Sequence, residues 1–267
     1  MRRGRPPGKR KRDRGFSREK RGALKRLKDV RYFKQLVYDR KGAQVPQEVK
    51  AVCTLEETAP IPAIDDTLLC SAWRWANKIN GEGPPGLSLY GEISRGGMTK
   101  IFTVLATKAG FGIDSNLLDV GCGIGKVLLH ATIGFNVNTA KGVEMSEYRV
   151  NSARAVLDLV GKKVPEVQPS LKRIQLLHCD IASMNSWDGI THVYSYDLGI
   201  PKSVYSHLLR LWTQSSTVEW FVSFRRPDWL WKCGFDLDLI EKVLVKQQGT
   251  GGSNHTAYVY HKRNNVD

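Results

Sequence analysis

A glycine-rich turn between an apolar strand and a helix is the feature that most constrains this chain. Residues 117–126 read L-L-D-V-G-C-G-I-G-K, which predicts a buried strand, a turn over the glycines and a helix over residues 127–132. Glycines let backbone N–H groups approach a ligand closely, and the positive end of the helix dipole favours a polar or anionic group. The sequence therefore predicts a ligand site at the carboxyl end of this strand.

A carboxylate at the tip of the next strand indicates the kind of ligand. Residues 140–144 form a second apolar segment that ends in Glu144, 25 residues after Asp119. A carboxylate at that place accepts hydrogen bonds from ribose hydroxyls, so the two strands predict a nucleotide site. The third glycine of a dinucleotide fingerprint would fall at Lys126. The pattern D-x-G-x-G-x-G instead resembles motif I of the class I methyltransferases, which use S-adenosylmethionine and release S-adenosylhomocysteine.

Strand and helix segments alternate after this turn, which predicts a parallel sheet covered on both faces. The strands predicted after the first are residues 140–144, 174–178, 191–196, 218–224, 237–245 and 256–261. The last two flank a glycine-rich stretch at 249–252, which predicts a hairpin. We expect an α/β fold of the class I S-adenosylmethionine-dependent methyltransferase type. It would be a doubly wound, mostly parallel seven-stranded sheet with a C-terminal β-hairpin, plus a small N-terminal helical region.

The positive charge of the chain is concentrated at one end. The formal net charge is +15, and residues 1–41 carry 18 Lys and Arg against four acidic residues. The run Arg3-Gly4-Arg5-Pro6 followed by basic residues 9–12 resembles an AT-hook core, and it also resembles a nuclear import signal. We expect residues 1–41 to bind nucleosomal DNA and the protein to be nuclear. A basic tail that serves only solubility is the alternative.

Composition along the chain divides it into four predicted parts. Residues 1–23 are expected to be a disordered basic arm, and residues 24–86 a helical extension with a linker. Residues 87–262 are expected to form the catalytic domain, followed by a tail at 263–267.

Two classes of protein are disfavoured by the residue pattern. The five cysteines form no C-x-x-C pair and the histidines show no metal spacing, so we expect reduced thiols and no metal site. No apolar run approaches the length of a membrane span, so we expect no membrane association.

Three short motifs, taken in order, resemble one enzyme family. They are Leu89-Tyr90-Gly91-Glu92, the glycine turn continued by K-V-L-L-H-A at 126–131, and Gly142-Val143-Glu144. In this order they resemble the disruptor-of-telomeric-silencing family of non-SET histone H3 lysine methyltransferases. The resemblance spans residues 87–262, about two thirds of the chain. It implies methyl transfer to a lysine on the core surface of histone H3 in nucleosomes, and hence a chromatin regulator.

The resemblance also implies which side chains border the cofactor. Tyr90 would lie beside the methionine portion, Glu92 would support that loop, Glu144 would hold the ribose and Asp180 the adenine amino group. Other residues would border the cofactor at the turn, namely Asp119, Gly121, Gly123 and Lys126, with Lys126 standing where the family usually has glutamine.

The expected catalytic residues are Tyr90, Asp197 and Tyr258. The two tyrosines would form the walls of a lysine channel, and Asp197, directly after the fourth strand, would dock and orient the amine. The family normally shows paired asparagines and a phenylalanine where this chain reads Y-D-L-G-I-P at 196–201. Core packing for the tyrosines and a helix-entry role for Asp197 are the structural alternatives.

Two other functions remain compatible with the sequence. A basic arm on a class I core also suits an RNA methyltransferase, although the Asp/Asn-Pro-Pro-aromatic motif of base-amino methylation is missing after Asp197. The altered loop at 196–197 would also suit a chromatin-binding protein that has lost catalysis.

Overall fold

A computed structural model describes residues 66–84, 90–248 and 253–263. Several sequence-based expectations lie outside these residues: the basic arm, the amphipathic helix within 24–41, the linker up to 65, and the tip of the C-terminal hairpin at 249–252. The described residues belong to one compact unit.

A seven-stranded sheet forms the centre of this unit, as the sequence predicts. The strands are β1 (Asn116–Val120), β2 (Thr139–Glu144), β3 (Ile174–His178), β4 (His192–Tyr194), β5 (Trp220–Ser223), β6 (Leu237–Lys246) and β7 (Asn254–Lys262). Their spatial order is β3-β2-β1-β4-β5-β7-β6, with β1 to β5 parallel and β7 antiparallel to both neighbours. The doubly wound sheet with a reversed C-terminal hairpin is confirmed, and it is the class I methyltransferase fold.

The register of the central strands decides which residues meet at the carboxyl edge of the sheet. Val120 of β1 pairs with Val143 of β2, and Asp119 pairs with Tyr194 of β4. The chain leaves β1 into the glycine turn at the level where β2 ends in Glu144. The order of strands also changes direction at β1, which is where parallel sheets form their ligand crevice.

Helices cover both faces of the sheet. They are α1 (Asp66–Ala76), α2 (Arg95–Ala109), α3 (Lys126–Leu129), α4 (Glu147–Lys163), α5 (Gln168–Leu171), α6 (Tyr205–Gln214) and α7 (Pro227–Lys232). Successive residues of a strand point to opposite faces. Leu117 accordingly packs with the α1 and α2 side, and Leu118 with the α6 and α7 side.

Helix α1, which the sequence analysis assigns to the N-terminal extension, packs into the same core as the sheet. Leu69 and Trp73 are buried in the same cluster as Phe102 of α2 and Leu117 of β1. The remaining buried face of α1 packs on Val156 and neighbouring residues of α4. The apolar spacing of this segment predicted a helix correctly, but spacing alone does not identify the surface that the helix covers.

The helix after the glycine turn is less regular than the sequence predicts. Only Lys126–Leu129 are α-helical, and His130–Gly134 form a π-helical turn. His130 is fully buried there among the rings of Trp73, Phe102 and Phe135. Burial lowers its pKa to about 3, so this histidine is neutral.

Within the described ranges, no helix is long and apolar enough to cross a membrane, and no cluster of His, Cys, Asp and Glu is arranged to hold a metal ion. The four cysteines in those ranges are free thiols.

Trp73→Ala tests whether α1 is part of the core. Trp73 is 3% exposed, and truncating a buried tryptophan is expected to lower the free energy of unfolding by about 3–5 kcal/mol. Urea denaturation followed by circular dichroism measures this change. Trp231→Ala is the control, because Trp231 is 51% exposed and its loss should cost much less. Equal, small effects of the two substitutions would mean that α1 is peripheral.

Candidate functional site

The glycine turn is fastened to the end of β2 by backbone hydrogen bonds. The N–H groups of Gly121 and Cys122 both donate to the carbonyl of Val143, at 2.8 and 3.0 Å. Gly121, Gly123 and Gly125 have φ angles of 79°, 53° and 80°. These left-handed conformations are readily adopted by glycine alone, so the turn requires this spacing of glycines.

Glu144 connects the glycine turn to the start of α4. One carboxylate oxygen accepts the N–H of Gly123 at 3.0 Å, and the other accepts the N–H of Ser146 at 2.9 Å. The residue is 5% exposed. Each carboxylate oxygen keeps a second lone pair, so Glu144 still has acceptor capacity for the hydroxyls of a ligand.

Asp119 carries an unused acceptor at the same place. Its side chain is buried, and Oδ2 has no hydrogen-bond partner among the described residues. Burial, and then the charge of Glu144, raise the pKa of Asp119 well above its ordinary value. Buried acceptors are rarely left unpaired in proteins, so this atom marks a place where a donor from a bound molecule would fit.

Glu92 and Lys126 form a nearly buried ion pair beside the turn. Lys126 Nζ lies 2.6 Å from Glu92 Oε2, with side chains 7% and 17% exposed. The other oxygen of Glu92 accepts the hydroxyl of Tyr90. The Lys126 ammonium also lies 5.8 Å from the ring centroid of Trp73. The pair places one carboxylate and one ammonium at the N-terminus of α3.

The ring of Tyr90 lies over the glycine turn. A methyl group on Gly123 would be 2.8 Å from Tyr90 Cε2, and the Arg149 guanidinium is 4.9 Å from the centre of the ring. Burial, and then the neighbouring Glu92 carboxylate, raise the pKa of the Tyr90 hydroxyl. The structure thus brings Tyr90 and Glu92 next to the turn, about 30 residues away in sequence.

Asp180 lies one strand further along the same edge. Its neighbour Cys179 donates its N–H to the carbonyl of Glu144 at 3.1 Å, so the segment after β3 runs beside the end of β2. Asp180 is exposed and caps a short 3-10 turn by accepting the N–H of Ala182 at 2.9 Å. Among the described residues, no hydrogen bond or ion pair joins it to Tyr90 or Glu92.

Asp197 does not occupy the docking position expected for it. Its side chain is fully buried, and both carboxylate oxygens already accept hydrogen bonds. The donors are the hydroxyls of Tyr205 and Ser223 and the N–H of Phe224. Burial raises its pKa while these hydrogen bonds oppose the rise. Asp197 holds the loop after β4 to the end of β5 and to α6, and its carboxylate is fully buried behind these contacts.

Tyr258 is also separated from Tyr90. It stacks on Tyr260, with ring centroids 6.1 Å apart, and packs with the buried cluster on the α6 and α7 side. Its strand pairing with Ser223 places it near the carboxyl end of β5, but the alternation of β7 turns its ring to that face. The two tyrosines therefore do not form one channel.

A group of side chains that the sequence did not assign lies on the other side of the Tyr90 loop. We call it the Tyr196 cluster, and it consists of Tyr196, Phe224, Gln247, Ser253 and His255. The Tyr196 ring meets Phe224 edge-on at 4.6 Å and His255 at 5.7 Å between ring centroids. A methyl group on Gly91 would lie 2.8 Å from Tyr196 Cε1, so this cluster directly adjoins the loop. Only the spatial path of β7 brings His255 here, which sequence spacing does not show.

The loop that carries Tyr90 is bonded to the C-terminal hairpin. Gln248 donates its N–H to the carbonyl of Glu92 at 2.7 Å, and Ser94 donates to the carbonyl of Lys246 at 2.9 Å. The loop is therefore held between the glycine turn and the hairpin. One side of it faces Gly123 and the other faces the Tyr196 cluster.

Comparison with known proteins finds similarity in three dimensions alone. No family model and no curated relative matches the chain. Magnesium protoporphyrin IX methyltransferase from Synechocystis, solved with S-adenosylmethionine, has a TM-score of 0.48 at 14% identity and covers 63% of this chain and 79% of its own. A putative RNA methyltransferase from Pyrococcus horikoshii has a TM-score of 0.47 at 14% identity, and the match covers 74% of this chain and 97% of that protein. An RNA methyltransferase from Salinibacter ruber, solved with S-adenosylhomocysteine, has a TM-score of 0.41 at 19% identity, and the match covers 63% of this chain and 94% of that protein. The fold assignment rests on this chain's own strand order.

Asp119→Asn tests the buried carboxyl group. Because the pKa of Asp119 is raised in the folded state, wild-type stability falls as the pH rises from the unfolded pKa of about 3.9 through the folded pKa. Asparagine does not titrate. The free energy of unfolding of the variant, relative to wild type, should therefore increase between pH 4 and pH 8 in urea titrations. Asp114→Asn, at an exposed position, is the control. A difference that stays constant with pH would contradict the burial of a titrating group.

Proposed function

We propose that this protein is an S-adenosylmethionine-dependent methyltransferase. The observation that carries the proposal is the meeting of Asp119, the glycine turn and Glu144 at one edge of a class I sheet. Asp119 offers a buried acceptor without a partner, and Glu144 is fixed by two backbone N–H groups. Acceptors on two adjacent strands, separated by a glycine turn, suit a nucleoside cofactor.

The ion pair beside the turn fits the remaining part of such a cofactor. The amino-acid portion of S-adenosylmethionine carries one ammonium and one carboxylate. Glu92 would hold the ammonium, and Lys126 would hold the carboxylate together with the N-terminus of α3. Glu144 would hold the ribose and Asp180 the exposed end of the adenine, with Tyr90 covering the turn. When bound, the cofactor supplies an electrophilic methyl group on a sulfonium.

The contribution of the protein to methyl transfer is mainly alignment. In-line attack needs the nucleophile and the methyl group to be held in one geometry. Such positioning lowers the activation free energy by several kcal/mol. The Tyr90 loop separates the cofactor side from the Tyr196 cluster. That cluster is therefore the proposed place for the methyl acceptor.

A lysine of histone H3 in nucleosomes is one proposed acceptor. Support comes from the three motifs around Tyr90, the glycine turn and Glu144, whose order resembles that of the histone H3 enzymes. The basic residues 1–41 would bind nucleosomal DNA, and the protein would act in the nucleus. The burial of Asp197 means that the lysine would have to be oriented by other groups.

RNA is the second proposed acceptor, and a specific observation favours it. In the Tyr196 cluster the half-buried rings of Tyr196 and His255 meet edge-on, and the buried Phe224 ring packs edge-on against Tyr196. Because Asp197 is turned inward, the aromatic surfaces of the Tyr196 cluster suit an unpaired base better than a charged side chain. The basic arm would bind an RNA backbone as readily as DNA.

Labelled S-adenosylmethionine supplied to assembled nucleosomes, free histones and total RNA distinguishes these acceptors. Label on a histone H3 core lysine would support the first, and label on RNA alone would support the second. Binding of S-adenosylhomocysteine without transfer to any of the three would contradict methyltransferase activity on both classes.

Gly123→Ala tests the cofactor site itself. An added methyl would lie 2.8 Å from Tyr90 and would displace the ring that covers the turn. We expect calorimetry to show at least about tenfold weaker binding of S-adenosylhomocysteine, which corresponds to about 1.4 kcal/mol. Gly189→Ala is a matched control. Gly189 has the same left-handed backbone, with φ of 80°, but no atom within 4 Å of an added methyl. Equal affinities of the two variants would place the cofactor elsewhere.

Removal of residues 1–22 tests the role of the arm. Loss of its phosphate contacts should weaken nucleosome binding and flatten the dependence of log Kd on log salt by roughly one unit per contact. Arg3→Lys with Arg5→Lys is the charge-matched control. It should retain the salt slope and lose any preference for A·T-rich DNA. An unchanged slope after truncation would exclude the arm from DNA binding.

A further inference from the structure

His255 is held in a defined orientation at the substrate side of the Tyr90 loop. Its Nε2 lies 3.2 Å from Gln247 Oε1 and 3.1 Å from Ser253 Oγ. The Ser253 hydroxyl itself donates to Gln247 Oε1 at 2.9 Å. These contacts fix one edge of the imidazole, and the Tyr196 ring packs against it edge-on.

The contacts select one tautomer of the imidazole. An amide oxygen only accepts hydrogen bonds, so the nitrogen that faces Gln247 Oε1 must carry a proton. With Ser253 donating to Gln247, its oxygen also accepts from that same N–H. The proton therefore resides on Nε2. Nδ1 keeps its lone pair, and it has no hydrogen-bond partner in the part of the chain that the structure describes.

A proton acceptor is needed at this side of the site. An amine, hydroxyl or ring N–H that gains a methyl group loses a proton in the process. The carboxylate of Asp197, in the loop after β4, is fully buried and engaged by three donors, so it is not open to a proton from a substrate. Glu92 is paired with Lys126 and with Tyr90. His255 is the titratable base of the Tyr196 cluster.

We propose that His255 is the proton acceptor for methyl transfer, with Gln247 as the residue that positions it. This inference rests on the proposed methyltransferase function. The nucleophile attacks the methyl carbon, the carbon–sulfur bond breaks with its electron pair passing to sulfur, and the proton of the nucleophile passes to His255 Nδ1. Gln247 keeps Nε2 protonated throughout, so that Nδ1 presents its lone pair to the acceptor.

The groups around His255 decide which new charge would act on its ring. The groups packed on it are the phenol of Tyr196, the amide of Gln247 and the hydroxyl of Ser253. Burial raises the pKa of the Tyr196 hydroxyl, so it stays protonated near neutral pH. The nearest acidic side chain of the adjoining loop, Glu92, is directed at Lys126. A carboxylate introduced at position 247 would consequently be the strongest new charge beside the ring.

The test combines kinetics with a measurement that needs no substrate. His255→Gln should lower kcat by about 10²–10³-fold on whichever acceptor the wild type labels, while the Kd for S-adenosylhomocysteine stays within twofold. Gln247→Glu should move the acid limb of the pH–rate profile upward by about one unit, because a carboxylate favours the imidazolium. Two-bond proton–nitrogen NMR correlations should show the Nε2–H tautomer of His255 in the free protein. His207→Gln, on α6, is the control and should leave the profile unchanged.

Each outcome bears on the proposal. An Nδ1–H tautomer of His255 would overturn the role of His255. So would turnover by His255→Gln with an unchanged acid limb of its pH–rate profile. Either result leaves the methyltransferase assignment intact. Absence of S-adenosylhomocysteine binding to wild type overturns the proposed function, and this inference with it. Binding without any methyl transfer also overturns the role of His255, since there is then no proton to accept.

Discussion

The carboxylate of Glu144 is the interaction on which the rest of the site depends. It bonds Gly123 on one side and Ser146 on the other, so it ties the turn after β1 to the entry of α4. The glycine turn provides the surface on which the Tyr90 ring lies. The Tyr90 hydroxyl is hydrogen-bonded to Glu92, and Glu92 forms an ion pair with Lys126. Removing this one carboxylate would leave the turn held to β2 only by the backbone bonds of Gly121 and Cys122, and the N–H groups of Gly123 and Ser146 would lose their acceptor.

Sequence patterns were sufficient for the sheet because its signals are local. The apolar strand, the glycines and Glu144 lie within 30 residues, and parallel pairing of β1 with β2 then follows from strand–helix alternation. The reversed hairpin was indicated by its glycine-rich connection. The same reasoning placed α1 outside the domain, because helical spacing reports an apolar face and not the surface that covers it.

Two of the three residues expected to be catalytic have surroundings that sequence spacing does not predict. Side chains along β7 alternate between the two faces of the sheet, and Tyr258 falls on the α6 and α7 face. A shift of one residue along the strand would place it on the opposite face. The place of Asp197 directly after β4 predicts a carboxylate at the carboxyl edge of the sheet. Donors from Tyr205, Ser223 and Phe224, which lie 8–27 positions away in sequence, turn it inward. No sequence motif marks His255, because its partners Gln247, Ser253 and Tyr196 are brought together by the folded hairpin and the loop after β4.

The position of β7 has a consequence for the order in which the two halves of the site form. The glycine-turn half is closed by the hydrogen bonds of Glu144 with Gly123 and Ser146, which lie 21 and 2 positions from it in sequence. The half with the Tyr196 cluster is closed by backbone hydrogen bonds of Glu92 and Ser94 with residues 246–248, more than 150 residues later. Such non-local contacts form late in folding, because loop closure must precede them. During synthesis on the ribosome, a nascent chain could therefore form the turn between β1 and β2 well before β6 and β7 emerge to hold the Tyr90 loop in place.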